Sequence, residues 1–210
     1  MTGAADDRHG RGAAAALRRL ADEDQRPRFA VADLLSALGD QGFGLLILLL
    51  ALPNALPGPM IPGFSAPFAL AIGLLGLQLA RGFPMPRLPG WLKRRSMPQE
   101  RFRRFVLRTE PVLRRLERWL RPRPSGLTQG PGERLVGVAL IALSAVLVLP
   151  VPFGNLPIAL SIMIIALGLL EGDGRALILG LAAGLLATLW NASLIFAGAA
   201  ILEATAHLAK

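Results

Sequence analysis

Residues 41–80 read QGFGLLILLLALPNALPGPMIPGFSAPFALAIGLLGLQLA, an uncharged run broken in its middle by Pro53, Pro57, Pro59, Pro62 and Pro67. Apolar side chains fill almost every position on either side of the break, so neither a helical stripe nor a strand alternation can be read from them. Two more uncharged blocks follow, Leu135 to Leu170 and Ala176 to Leu202, in a chain of 210 residues that is 53% hydrophobic and 18% charged. Length alone suits one compact domain. The blocks predict an all-α integral membrane protein, because lipid leaves backbone groups no partner outside a helix or a closed barrel.

The 41–80 pattern occurs twice. Gly39-Asp40, Gly44 and LPGP (Leu56 to Pro59) match Gly132-Glu133, Gly137 and LPVP (Leu149 to Pro152) at an offset of 93. PFALAI (Pro67 to Ile72), Leu77, Leu79 and Gly82 then match PIALSI (Pro157 to Ile162), Leu167, Leu169 and Gly172 at an offset of 90. Prolines and glycines held in register point to an internal repeat. Each unit reads as helix, proline-rich break, helix, with a tip motif of Pro57, Pro59, Pro62 and Pro67 in the first and Pro150, Pro152 and Pro157 in the second.

Counted strictly, the uncharged arms run Gln41 to Leu52, Pro67 to Ala80, Leu135 to Leu149 and Pro157 to Leu170. Arms of about 12–15 residues reach roughly 18–22 Å, whereas the hydrocarbon core is about 30 Å thick. Re-entrant or partially penetrating hairpins are expected; the alternative lengthens the first arm backwards through Asp33 and Leu34 into a spanning helix. Ala176 to Leu202 is different, since this proline-free run is long enough to cross completely. Its Gly180 and Gly184 offer a small-residue face for close helix contact, within the chain or across a homodimer.

Between Arg81 and Arg123 there are fourteen basic side chains against Glu100, Glu110 and Glu117, a charge of +11 that exceeds the +9 of the whole chain. A loop of this kind stays on the cytoplasmic side. Both hairpins then enter from the same face as parallel repeats, because inverted repeats would carry about a dozen arginines across at several kcal/mol each. Phe102, Phe105, Val106, Thr109, Leu113, Leu116 and Leu120 form a helical stripe among the arginines, and Ser96 and Thr109 each precede a proline at N-cap spacing. Two basic amphipathic helices are expected, lying in the interface against anionic headgroups or packing on the protein's own core. Nucleic acid is not an expected partner, since no aromatic platform or groove-reading module accompanies the charge.

The expected organisation is a mobile cytoplasmic N-terminus (1–28), a first hairpin repeat (29–82), a basic linker (83–131), a second hairpin repeat (132–175), a transmembrane helix (176–202) and a tail (203–210). Residues 1–30 contain no apolar region of the length a signal peptide requires. There is no cysteine, and the two histidines, His9 and His207, lie in opposite tails. Disulfides, thiolate chemistry, metal sites and bound cofactors are therefore not expected. No phosphate loop, nucleophile elbow, zinc motif or paired-carboxylate site is present, so the chain does not read as an enzyme.

Several strings, LPxP, IPGFSAPFAL (Ile61 to Leu70), LQLARG (Leu77 to Gly82), LPGWL (Leu88 to Leu92) and LPVPFGNLP (Leu149 to Pro157), together resemble the ExoD family of bacterial exopolysaccharide synthesis proteins. The resemblance runs from about Phe29 to Leu202. It departs after Trp91-Leu92, where Lys93-Arg94-Arg95 follows in place of the proline the family favours. It implies a multi-pass bacterial inner-membrane protein linked to exopolysaccharide production and to tolerance of alkaline surroundings, with the synthesis machinery as a partner. It supplies no catalytic residues.

The candidate functional residues are the few polar groups at depth. Asp40 and Glu133 sit at matching hairpin mouths, as functional carboxylates or as helix caps; Asn54 and Asn155 lie near the tips; Arg81 and Glu171 correspond at the second offset, as a cross-repeat ion pair or as headgroup contacts. The leading expectation is a homodimeric component of polysaccharide export whose hairpins enclose a half-membrane cavity for polysaccharide, its lipid carrier or an ion. The alternative is a non-transporting assembly or regulatory factor that recruits anionic lipid or the synthesis machinery through its basic linker.

Overall fold

The computed structural model describes residues 28–30, 39–55, 63–87, 96–98, 100, 103–104, 107, 125–128, 130–149, 151 and 154–208. Five helices are described from end to end: α1 (Gly42–Ala55), α2 (Ala66–Ala80), α3 (Pro131–Val148), α4 (Asn155–Glu171) and α5 (Gly174–Leu208). Two of them, α3 and the stretch Gly174–Ala200 of α5, are long and apolar enough to cross a membrane. The amphipathic stripe of the linker, the tip prolines 57, 59, 62, 150 and 152, and the two tails up to 27 and from 209 lie outside the described residues.

The termini follow from local chemistry. Gly39, at φ +55°, opens a 3-10 turn (Gly39–Gln41) ahead of α1; Asp33 and Leu34, through which a longer first arm would run, lie outside the described residues. Proline falls in the first turn of α2 (Pro67), α3 (Pro131) and α4 (Pro157), where a missing N–H costs little. In α1, Pro53 removes the donor that would pair with the Leu49 carbonyl, and the helix ends two residues later.

The second arms end alike. Gly82 (φ +74°) and Gly172 (φ +62°) adopt the left-handed conformation that an L side chain resists. Phe83 N–H donates to Gln78 O at 3.1 Å, and Asp173 N–H donates to Gly168 O at 2.9 Å, the six-residue closure of the same C-terminal cap. The chain then turns at once into α5, whose first turn is capped by Asp173 Oδ1 accepting from the Arg175 N–H at 2.9 Å. That cap starts α5 two residues ahead of the strictly uncharged run, and the helix continues past Leu202 to Leu208.

The arms interlock across the two halves of the chain. α1 packs mainly on α4, and α2 mainly on α3, rather than each on its own neighbour in sequence. Glycine permits this closeness. A methyl group added at Gly44 would stand 2.6 Å from Leu170 N and 2.7 Å from Ala166 O; one added at Gly137 would overlap Ala80 N and the Gly76 carbonyl. The beginning of α1 therefore lies beside the end of α4, and the beginning of α3 beside the end of α2. Both pairs are antiparallel. Phe43, Ile47, Ile72, Leu79, Leu140 and Ile162 fill the space between them.

α5 runs antiparallel to α4, with Leu177 beside Gly168, Gly180 against Ile165, and Gly184 against Ser161 and against Leu143 of α3. The small-residue face is thus occupied inside the chain. Both bends, between α1 and α2 and between α3 and α4, sit at one end of the body, and α5 passes them at Asn191. From Ala192 to Leu208 it continues for about 26 Å, with residues 195–200 all exposed.

One expectation fails in the linker. Ser96–Pro98 is extended, not a helix N-cap, and pairs antiparallel with Arg28–Ala30. The φ of proline suits an edge strand as well as a first helical turn, and the strand pairing prevails here. Glu100 is helical, so a helix does follow after this strand.

Candidate functional site

The bend end is polar but uncharged. Ser65, immediately before α2, and Asn155, the first residue of α4, meet there, with Asn155 Nδ2 donating to Ser65 Oγ at 2.8 Å. The two residues are 90 positions apart, the second offset of the sequence match. Next to them, Asn191 of α5 donates from Nδ2 to Gly154 O at 3.0 Å and to Ala187 O at 2.9 Å. Its Oδ1 lies so close to Gly154 that a Cβ there would overlap it. Asn54, in the last turn of α1, is buried and donates from Nδ2 to Leu50 O at 3.3 Å.

The opposite end is charged. Gln78 clamps the chain leaving α2: its Oε1 accepts from Arg87 N–H at 2.6 Å and its Nε2 donates to Arg87 O at 3.1 Å. The Arg87 guanidinium lies 4.2 Å from the centroid of Phe83, a cation–π contact. The Arg134 side chain passes across Gly82, where a Cβ would come within 3.0 Å of Nε. Arg81, Arg87, Arg134 and Arg175 are all exposed at this base.

The structure places the sequence candidates as follows. Asn54 and Asn155 are at the bend end and Arg81 and Glu171 at the base, Arg81 just after α2 and Glu171 closing α4. Asp40 lies in the 3-10 turn before α1, and Glu133 in the first turn of α3, where its charge complements the helix dipole. Pro67 and Pro157 lie in the first turns of α2 and α4. Ser65 was not singled out by sequence, although the 90-residue offset that aligns Pro67 with Pro157 also aligns Ser65 with Asn155. Gln78 was visible only as part of LQLARG. Among the described residues there is no cluster of His, Cys, Asp or Glu that could hold a metal ion.

Comparison with known proteins adds three findings. The family model described as exopolysaccharide synthesis, ExoD, matches residues 13–193. An uncharacterized protein of Synechocystis sp., slr1875, is 33% identical over 153 residues, which cover 72% of this chain and 72% of that protein. Protein ExoD of Rhizobium meliloti is 32% identical over 146 residues, 68% of this chain and 60% of that protein. No solved structure matches the chain.

Proposed function

The chain belongs to the ExoD family of exopolysaccharide synthesis, and from that premise we propose that it serves the synthesis as a membrane-embedded transport or lipid-carrier component. The body stands in the bacterial cytoplasmic membrane with its arginine-bearing base in the inner headgroups and its two bends inside the bilayer. The observation that carries this reading is the position of both bends at one end, beside the middle of an apolar helix. From Arg175 to Asn191, α5 climbs about 24 Å, less than the roughly 30 Å of hydrocarbon, and its uncharged run goes on to Leu202. The hairpins penetrate part-way and α5 alone crosses.

Three further observations support the reading. Leu70, Leu74, Leu135, Leu179, Leu186 and Phe196 are exposed large apolar side chains on the outside of the body, suited to acyl chains. The backbone contacts of Gly44 with 166 and 170 recur for Gly137 with 76 and 80, which favours one unit used twice, residues 29–82 and 132–175. Arg81, Arg87, Arg134 and Arg175 join the linker, residues 83–131, in presenting positive charge to anionic lipid. A homodimer would use a face other than Gly180 and Gly184, which α3 and α4 already occupy.

Topology is tested by single cysteines in this cysteine-free chain. Arg87→Cys is expected to react with an impermeant thiol reagent only from the cytoplasmic side, and His207→Cys only from the outside. Labelling of both from one side contradicts the single full crossing. For the role itself, Asp40→Asn and Glu133→Gln are expected to reduce polysaccharide output singly and more strongly together, because each removes the carboxylate from a hairpin mouth. Unchanged output in all three variants removes the carboxylates from the mechanism.

A further inference from the structure

Three buried asparagine oxygens among the described residues accept no hydrogen bond, Oδ1 of Asn54, of Asn155 and of Asn191, and all three belong to the bend end. For two of them the amide orientation is fixed by partners that can only accept: Asn191 Nδ2 donates to two carbonyls and Asn54 Nδ2 to the Leu50 carbonyl. Asn191 Oδ1 rests on Gly154, whose Cα–H groups serve it weakly. Asn54 is only 8% exposed, so bulk water does not explain its open acceptor, and an acceptor left dry at that depth is costly. Because α1 runs antiparallel to α4, the end that holds Asn54 lies beside the start that holds Asn155. Pro53, the residue before Asn54, has no N–H to donate to the Leu49 carbonyl.

The charge of this end decides what it can take. Between Gly42 and Ala80, and between Leu135 and Leu170, no side chain is charged. Amide and carbonyl oxygens without a cation repel a phosphate, and without a carboxylate they bind a divalent ion poorly. The chemistry that remains is a neutral hydrogen-bond donor. We infer that the bend end is a binding site for hydroxyl donors, with Asn54 as the accepting group and the Asn155–Ser65 pair joining the two halves beside it. Water and a saccharide hydroxyl both supply that chemistry; the saccharide source rests on the exopolysaccharide reading above.

The test uses the full chain in proteoliposomes. Asn54→Cys and Ser65→Cys are expected to react with a hydrophilic methanethiosulfonate about tenfold or more faster than Ile72→Cys, which sits in the dry core, since thiol reactivity follows access to water. Methyl glucoside added during labelling separates the sources: slower labelling assigns the site to saccharide, and an unchanged rate assigns it to water. Inorganic phosphate is expected to leave both rates unchanged. Asn54→Leu, which removes the acceptor at similar volume, is expected to lower Tm when donors fill the site and to raise it when the site is dry. Labelling no faster than at Ile72→Cys, protection by phosphate, or a raised Tm in Asn54→Leu overturns the inference. Labelling reports the site whether or not polysaccharide output responds to substitution, so this site and the transport role fail separately.

Discussion

Gly137→Ala is expected to lower the melting temperature of the detergent-solubilised protein by roughly 5–10 °C, the shift that about 2–3 kcal/mol of overpacking produces in a chain of this size. Gly44→Ala should do the same. On helix propensity alone, each substitution would stabilise by about 1 kcal/mol, so the sign is decided by what the new methyl meets. At Gly137 it meets the backbone of Ala80 and the Gly76 carbonyl, and at Gly44 it meets Leu170 N and Ala166 O. A helix backbone cannot swing aside like the end of a side chain, so α2 and α3, or α1 and α4, must separate. Gly198, with nothing within 4 Å of its would-be Cβ, is the control. Gly198→Ala should leave Tm unchanged or raise it slightly. Equal behaviour of all three variants would mean that the close approaches do not form.

The second large effect concerns Asn191 and Gly154. Asn191→Ala removes both donors from the Gly154 and Ala187 carbonyls and opens a small void, a loss of about 1–3 kcal/mol when a buried acceptor is left unpaired. Gly154→Ala places a methyl group on Asn191 Oδ1 and should cost a similar amount. The informative variant is the double one. With Asn191 already shortened, the collision with its amide is gone and only Val151 Cβ, 2.9 Å from the new methyl, remains, so Gly154→Ala should then cost less, and the two losses should fall short of additive by about 1–2 kcal/mol in thermal or denaturant unfolding. Strict additivity would show that the two residues do not touch.

The helices were legible in the sequence because charge is excluded from their middles and kept to their ends. The four arms appear close to the uncharged runs, although α1 passes Pro53 to end at Ala55 and α3 starts at Pro131, four residues ahead of Leu135; Gly82 and Gly172, matched at the second offset, close the second arms. Which arm packs on which was not legible. Arms that are apolar on every face carry no stripe to point at a partner, and only the glycines register the pairing. Gly44 and Gly137, at the first offset, meet 166 and 170 in one case and 76 and 80 in the other, positions that correspond at the second offset. At the bend end, Asn54 stands out as an amide in an apolar run, while a lone serine such as Ser65, the strict counterpart of Asn155, is common in any turn. A hydroxyl before a proline looks the same whether it caps a helix or, as at Ser96, joins an edge strand.

The length of α5 has a mechanical consequence. Its first half is clamped along α4 from Leu177 to Asn191, while residues 195–200 of its second half are exposed, so it behaves as a stiff lever fixed to the body. A rocking of about 10° about the arginine-bearing base would carry the region near Asn191 sideways by roughly 4 Å and the far tip at Leu208 by roughly 9 Å, given 1.5 Å of rise per residue. Any motion of the body is thus amplified about twofold at the C-terminal extremity, where a fluorophore at residue 207 would read it most sensitively.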